Sequence, residues 1–316
     1  MQPNAVKANR LLPLQPPPPE RDRTMSTLVI GGNSRLGKVL VEQFTHNGTS
    51  FLATSRRNNP PGSREAHLDF TDCDNWQVPP DISAAVIIAG LTNFASCEND
   101  PALAHQVNCV AIPSLARRLL EKGIFTCFIS TNTVFKADTP QAEDAPVCPG
   151  MLYAHQKAEA EAAIRKHALE LQATHLSAVL RITKNVSLDT SPFGDWLAIL
   201  RTGGVITAFS DLFFAPVLFA NSAHAITQVL THRQPGIFHL SGEADISYAE
   251  FARTLVNELA PDRCQVAAKT SQESGARLLY AHPVTALRLT HLSRNIGLSP
   301  VPLTTIVDFF REALAS

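Results

Sequence analysis

The sequence has no long hydrophobic run and no cluster of basic residues. None of its apolar stretches approaches the ~20 residues that a membrane-spanning helix needs, and Pro216 interrupts the apolar segment 213–219. The 27 lysine and arginine residues nearly balance the 28 acidic residues, which leaves a formal net charge of −1. This balance gives no electrostatic reason to bind nucleic acid or an anionic membrane surface. We therefore predict a soluble, cytoplasmic protein with no membrane or nucleic-acid partner.

Paired cysteines and clustered metal ligands are also missing. The six cysteines are scattered and form no Cys-x-x-Cys pair, which favours free thiols in a reducing compartment. The eleven histidines are dispersed, and no His-Glu-x-x-His or comparable spacing occurs. We therefore predict no metal site.

The first 24 residues differ in composition from the rest of the chain. They are rich in proline, with Pro16 to Pro19 consecutive, and contain few large apolar residues. Such a segment cannot bury enough apolar surface to fold, so we expect residues 1–24 to form a disordered leader. Met25 is a candidate for the true start.

From residue 25 onwards, predicted strands and helices alternate up to residue 182. This alternation is typical of an α/β fold with a Rossmann-like, doubly wound parallel sheet. We expect the domain that contains this sheet to cover 25–182, with a returning strand near 237–241, and a smaller C-terminal substrate-binding lobe to occupy most of 183–316. The predicted strands are 50–54, 84–89, 125–130 and 176–182, and the predicted helices are 38–47, 101–122 and 151–173.

A glycine-rich turn follows the first predicted strand, residues 27–30. Glycines let the backbone approach a pyrophosphate, and the free N–H groups at the start of the next helix favour its negative charge. A simple tight turn is the alternative, but the order strand, turn and helix favours dinucleotide binding. The predicted cofactor contacts in this turn are Gly31, Asn33, Ser34, Arg35, Leu36 and Gly37.

Two arginines follow the second strand, at the place where an acidic residue would bind the ribose 2′-hydroxyl of NAD. Arg56 and Arg57, with Arg35 in the turn, would complement a 2′-phosphate through charge-assisted bonds. The sequence therefore favours NADP (NADPH) as the cofactor, with NAD possible. The alternative is a pair of solvated loop arginines.

Tyr153 and Lys157 stand one helical turn apart, downstream of the strand that ends at Thr131. Residues four apart share a helix face, so the Lys157 ammonium is predicted to lower the pKa of Tyr153 and to reach a cofactor ribose. The Thr131 hydroxyl would hold a substrate carbonyl. This set fits proton transfer coupled to hydride transfer, although Tyr-x-x-x-Lys alone is common on exposed helices.

Together these motifs resemble the extended short-chain dehydrogenase/reductase family, and within it the dTDP-4-dehydrorhamnose reductase-like branch. The resemblance runs from about Leu28 to the C-terminus and is clearest over 84–157. It implies that Thr131, Tyr153 and Lys157 are catalytic, because the segment 130–135 is similar to the Ser-Thr-Asp-x-Val-Phe pattern of the family. Further cofactor contacts that the resemblance implies are Asp69, Phe70, Ala89, Gly90, Thr92 and Asn108, together with Tyr153 and Lys157 themselves.

The chain departs from the family pattern at three places. Ser34 replaces the middle glycine of the turn, which predicts a turn slightly further from the pyrophosphate. Asn132 replaces the aspartate after the catalytic threonine, and the stretch 210–216 keeps only Asp211 and Pro216 of the family sequence. The third departure predicts altered substrate recognition.

The resemblance implies an NADPH-dependent reductase of a nucleotide-linked 4-keto-deoxysugar. One alternative is an NAD(P)-dependent nucleotide-sugar epimerase or dehydratase with the same catalytic set. Another is a noncatalytic, cofactor-binding regulatory subunit, which the three departures motivate. A homodimer through the helices 101–122 and 151–173 is a further family expectation.

Overall fold

The structure is a computed structural model that describes residues 26–57, 64–73, 75–275, 278 and 281–316. The leader 1–24 lies outside the described residues, so its disorder stays a prediction. The strands are β1 Ser26–Ile30, β2 Phe51–Ser55, β3 Glu65–His67, β4 Ile82–Ile87, β5 Phe125–Thr131, β6 Ser177–Ile182, β7 Lys184–Val186, β8 Gly204–Phe209, β9 Phe213–Phe214, β10 Pro216–Leu218, β11 Gly236–Leu240, β12 Ile246–Ser247 and β13 Cys264–Lys269.

The helices lie between the strands in the alternating order that the sequence predicts. Two of them, α1 and α5, reproduce predicted helices to within a few residues, because helix ends depend on individual caps. The α-helices are α1 Arg35–His46, α2 Phe94–Asn99, α3 Pro101–His105, α4 Ile112–Glu121, α5 Leu152–Glu170, α6 Phe193–Thr202, α7 Phe219–His232, α8 Tyr248–Leu259, α9 Thr290–Ile296 and α10 Leu303–Ala315.

Seven strands form one parallel sheet in the order β11-β6-β5-β4-β1-β2-β3. All residues of β5 and β6 are buried, as expected for central parallel strands that helices cover on both faces. Successive side chains of a strand point to opposite faces, and accordingly Val29 joins one hydrophobic cluster while Leu28 and Ile30 join another. The predicted Rossmann-like α/β fold is therefore confirmed. The edge strand beside β6 is β11, which spans Gly236–Leu240.

The predicted helix 101–122 is interrupted. Between α3 and α4, residues Gln106–Ala111 form a π-helical segment. Pro113 lacks the N–H that would donate to the carbonyl of Cys109, which gives a local reason for the irregular turn. Such wide turns redirect side chains and are frequent at functional sites.

The remaining strands pair within the C-terminal half of the chain, as β7 with β10, β9 with β12 and β8 with β13. An aromatic cluster packs there around Phe193, whose ring is 5.6 Å from Trp196 and 5.9 Å from Tyr248. Since β11 from this half joins the central sheet beside β6, the two predicted units are interleaved along the chain.

Candidate active site

The glycine-rich turn lies at the carboxyl end of β1, next to the carboxyl end of β4. Strand order reverses between these two strands, and ligands of open α/β sheets bind in the crevice at that point. Gly31 has φ +95°, and an added Cβ would lie 2.8 Å from Ala89; a Cβ on Gly37 would overlap the carbonyl oxygen of Gly31. Both positions therefore require glycine for the close approach of turn, helix and neighbouring strand.

Ser34 has a defined role in this turn. Its side chain is the N-cap of α1 and accepts a bond of 3.0 Å from the backbone N–H of Gly37. The serine thus begins the helix in the preferred way, while one early N–H group of the helix is already bonded. The side chain of Leu36 is buried in the core, so only its backbone is available to a cofactor, whereas Asn33 and Arg35 are exposed.

The two arginines after β2 are exposed, and Arg56 lies near Asp69, a second predicted contact. Two hydrogen bonds from Thr71, followed by the nearby charges of Arg56 and His67, hold the pKa of Asp69 below its ordinary value despite some desolvation. Asp69 caps the short 3₁₀ turn Phe70–Asp72. The fold therefore brings Arg56, predicted to bind a 2′-phosphate, close to Asp69, predicted to contact the adenine.

Asn108 lies in the π-helical segment and is buried. Its side-chain amide donates to the carbonyl of Leu91 at 3.0 Å and to Gln156 at 2.9 Å, and its oxygen accepts from the N–H of Leu91. These bonds fix the loop after β4, which contains Ala89, Gly90 and the exposed Thr92. Asn108 therefore positions this loop, and its own contact with a cofactor stays a prediction.

Tyr153 and Lys157 lie on the buried face of α5. The Tyr153 ring is 5.2 Å from the ring of Phe94. Lys157 Nζ donates to the carbonyl of Ile129 at 2.6 Å and lies 3.9 Å from the centre of the Phe128 ring. The end of β5 thus holds the ammonium group beside the strand that carries Thr131.

The predicted direction of the Tyr153 pKa is wrong for the structure described. Burial, and to a smaller extent the charge of Cys97, raises the pKa of the phenol above its ordinary value of 10. Lys157 donates to the backbone carbonyl of Ile129, and the cost of burying a charged phenolate at Tyr153 outweighs any stabilisation by this lysine. The phenol therefore carries its proton at neutral pH.

Thr131 ends β5, and its hydroxyl accepts a bond of 3.2 Å from the N–H of Thr133. The two threonine hydroxyls are 3.1 Å apart, and the Thr131 hydroxyl donates to the side-chain oxygen of Asn132 at 3.4 Å. Thr131 is thus held by the turn that follows the strand. Thr131, Tyr153 and Lys157 come from the end of β5 and the facing helix α5.

A buried polar cluster that sequence reasoning missed lies next to Lys157. The carboxylate of Glu161, one turn further along α5, accepts bonds from Ser130 and from Arg181, the latter at 2.7 Å. Arg181 also donates to Nε2 of His239 at 3.2 Å, while His239 Nδ1 is 3.0 Å from a backbone carbonyl oxygen. An acidic residue four positions after Lys157 on the same helix face was the available signal.

The environment of His239 fixes its protonation state. Arginine only donates and a carbonyl only accepts, so the proton is on Nδ1 and Nε2 is the acceptor. Burial and the charge of Arg181 lower the pKa of His239 to about 3. His239 therefore remains neutral and does not add charge to the buried cluster.

Lys184 is a second missed candidate, at the start of β7. Desolvation lowers the pKa of its side chain, and the charge of Arg35 lowers it further. The fold therefore places this cation near the glycine-rich turn. The signal in the sequence was a lone lysine directly after the buried strand β6.

The buried environment of Lys157 predicts a pH dependence of stability. Burial lowers its pKa to about 7 from 10.5, although Glu161 and Cys109 act in the opposite direction. Between these values the unfolded chain binds more protons than the folded one, so the contribution of Lys157 to the free energy of unfolding rises with pH. We therefore expect the free energy of unfolding of wild type minus that of Lys157→Met, both measured by urea unfolding, to rise from about pH 7 to about pH 8.5. The exposed Lys166→Met is the control variant, and a difference for Lys157→Met that does not change with pH would contradict the buried lysine.

The sequence predicts that the protein has neither a membrane-spanning helix nor a metal site. No helix of the described residues is long and apolar enough to span a membrane. The absence of a metal site stays a prediction, and the donor atoms of His105, Cys109 and Glu159 lie within 4.8 Å of one another. The cytoplasmic location and the homodimer likewise stay predictions.

The fold and the site together define a class of protein. A parallel sheet with a glycine-rich turn at the point where strand order reverses is the arrangement of a Rossmann fold, and the family match shows an NAD(P)-dependent oxidoreductase. The chain belongs to the family described as RmlD substrate binding domain, which matches residues 25–307, within the extended short-chain dehydrogenase/reductases.

Individual relatives agree with this assignment. The chain is similar to the spore coat polysaccharide biosynthesis protein SpsK of Bacillus subtilis, with 28% identity over 73% of this chain and 78% of the relative. It is also similar to dTDP-4-dehydrorhamnose reductase of Mycolicibacterium smegmatis, with 25% identity over 74% of this chain and 69% of the relative.

Solved structures confirm the fold. A crystal structure of a dTDP-4-dehydrorhamnose reductase from Clostridium acetobutylicum superimposes with a TM-score of 0.76 at 19% identity, and the match covers 92% of this chain and 100% of that one. Other structures of this fold hold NADP or NAD. The fold is therefore compatible with a nicotinamide cofactor and does not distinguish between the two.

Proposed function

We propose that the protein is an NADPH-dependent reductase of a nucleotide-linked 4-keto-deoxysugar. The set formed by Thr131 at the end of β5 and by Tyr153 and Lys157 on α5 supports this most directly, because it combines a hydroxyl, a protonated phenol and a lysine amine. Similarity to a dTDP-4-dehydrorhamnose reductase supports the substrate class. The family sets the reaction type as oxidoreduction with NAD(P).

The residues of the turn fit a nicotinamide dinucleotide. Gly31 and Gly37 allow the turn to pack closely against Ala89 and against the start of α1, which a side chain at either position would prevent. The start of α1, with Arg35 beside it, would hold the pyrophosphate, and Lys184 adds a second positive charge there. Arg56 and Arg57 at the end of β2 would hold a 2′-phosphate.

A bound nicotinamide supplies the hydride that adds to the keto carbon. Tyr153 then donates its proton to the carbonyl oxygen, so that the ketone becomes an alcohol. The Thr131 hydroxyl would turn its single proton from the Asn132 oxygen to the same substrate oxygen and fix its position. Lys157 orients the cofactor ribose. The raised pKa of Tyr153 agrees with this direction of proton transfer, because an acid must hold its proton before the reaction.

The experiment that tests the function has two steps. The purified protein is titrated with NADPH and NADH, and nicotinamide absorbance is then followed after adding a panel of nucleotide-4-keto-sugars. Preference for NADPH with substrate-dependent oxidation is the expected result. Binding without oxidation of any sugar would favour the epimerase or regulatory alternative, and no binding of either cofactor would contradict all three.

The arginines after β2 predict the cofactor preference. Arg56→Ala combined with Arg57→Ala removes two charged donors to the 2′-phosphate, so we expect the Kd for NADPH to rise by roughly tenfold to a hundredfold. The Kd for NADH should change little, since NADH lacks that phosphate. Fluorescence titration measures both constants, with the exposed Arg263→Ala as a matched control. An equal rise in the Kd for NADPH and for NADH would contradict recognition of the 2′-phosphate.

A further inference from the structure

Thr285 is a buried residue of the segment before α9 that uses all its polar groups in hydrogen bonds. Its N–H and its hydroxyl both donate to Asp245, each at 2.7 Å. Its hydroxyl also accepts a bond of 2.8 Å from the N–H of Ala215, and its carbonyl accepts a bond of 3.0 Å from the side-chain amide of Asn132. Thr285 therefore joins three separate parts of the chain.

One of these parts contains a position where the chain departs from its family pattern. Asn132 stands where the family has aspartate, directly after Thr131. Ala215 lies in the stretch 210–216 and contributes only its backbone N–H, which does not depend on the side chains of that stretch. Thr285 thus connects Asn132 with this stretch, although they are far apart in the sequence.

The bond between Asn132 and Thr285 requires the amide. A backbone carbonyl only accepts hydrogen bonds, so the partner must donate. The NH₂ group of asparagine donates, whereas an ionised aspartate only accepts and would face the carbonyl of Thr285 with like partial charge. With its NH₂ group towards Thr285, Asn132 turns its oxygen towards the hydroxyl of Thr131, at 3.4 Å.

We propose that Asn132 and Thr285 are positioning residues that couple the orientation of the Thr131 hydroxyl to the C-terminal segment 281–289. Asn132 acts through Thr131, and Thr285 acts through Asn132. The effect on turnover rests on the proposed reductase function, whereas the effect on the segment 281–289 does not.

The decisive variant is Asn132→Asp, compared with Asn132→Ala over a range of pH. At neutral pH we expect both variants to lower kcat by about tenfold or more, because a buried carbonyl loses its donor, with the KM for NADPH unchanged. As pH falls, the aspartate of the variant becomes protonated and donates to Thr285. The kcat of Asn132→Asp should then recover relative to wild type, whereas Asn132→Ala should not.

Asn221→Asp is a matched control for the added charge. The side-chain oxygen of Asn221 accepts a 3.0 Å bond from the N–H of Leu218, and aspartate keeps that oxygen. We expect no loss of kcat and no dependence on pH relative to wild type. If kcat relative to wild type is the same for Asn132→Asp and Asn132→Ala at every pH, the proposed coupling is wrong.

Hydrogen exchange tests the coupling without turnover. The N–H groups of Thr285 and Ala286 donate to Asp245, and we expect both to exchange faster in Asn132→Asp at neutral pH than in wild type. Unchanged exchange would overturn the coupling even if the reductase is active. If the wild type reduces no keto-sugar, faster exchange confined to this segment would support the coupling while the proposed function fails.

Discussion

Tyr153→Phe is expected to lower kcat by about 10²- to 10⁴-fold while leaving the Kd for NADPH nearly unchanged. The substitution keeps the buried ring, which packs 5.2 Å from the ring of Phe94. It removes only the hydroxyl, whose raised pKa keeps it protonated at neutral pH. Turnover should therefore fall because the forming alkoxide has no proton donor, and the fold should be retained.

The measurement combines the rate of NADPH oxidation, at saturating keto-sugar, with a fluorescence titration of NADPH. Tyr248→Phe is the matched control, because Tyr248 is also a tyrosine with a pKa raised by burial, to about 12, and its ring packs 4.4 Å from that of Phe214. We expect near wild-type kcat for the control. Near wild-type kcat for Tyr153→Phe as well would exclude Tyr153 as the acid.

The sheet and its glycine-rich turn could be predicted from the sequence because their signals are local. A short buried strand, glycines with close contacts and a helix follow one another within 20 residues, and each requirement is visible in residue type. The π-helical segment around Asn108 was not predicted, because the amphipathic pattern continues through it and only Pro113 marks the irregular turn. The sequence pattern therefore gives one helix where the backbone has three segments.

The polar contacts of the site were harder to predict because their partners are distant in sequence. Asn132 and Thr285 are 153 positions apart, and no spacing rule connects them. The pKa of Tyr153 was predicted in the wrong direction for a related reason. The i, i+4 spacing gave the neighbour, Lys157, but burial depends on the packing of α2 and α5, which the spacing does not report.

The cluster beneath Lys157 predicts the largest effect on stability. Arg181 and Glu161 are both buried, and Arg181 donates to both carboxylate oxygens, with the shortest bond at 2.7 Å. Arg181→Met removes the guanidinium and leaves a buried carboxylate without its charged partner. We expect the free energy of unfolding to fall by about 3–5 kcal/mol, measured by urea denaturation.

Arg117→Met provides the contrast, because Arg117 forms exposed ion pairs with Glu121 and Glu170. This substitution should lower the free energy of unfolding by less than about 1 kcal/mol. The double variant Arg181→Met with Glu161→Gln should recover part of the stability, since it no longer buries an uncompensated charge. Equal losses of unfolding free energy for Arg181→Met and Arg117→Met would contradict a buried pair.

The charge of Glu161 also raises the pKa of Lys157, so the double variant should lower that pKa further. The pair therefore links the stability of the fold to the charge of the lysine that is proposed to orient the cofactor.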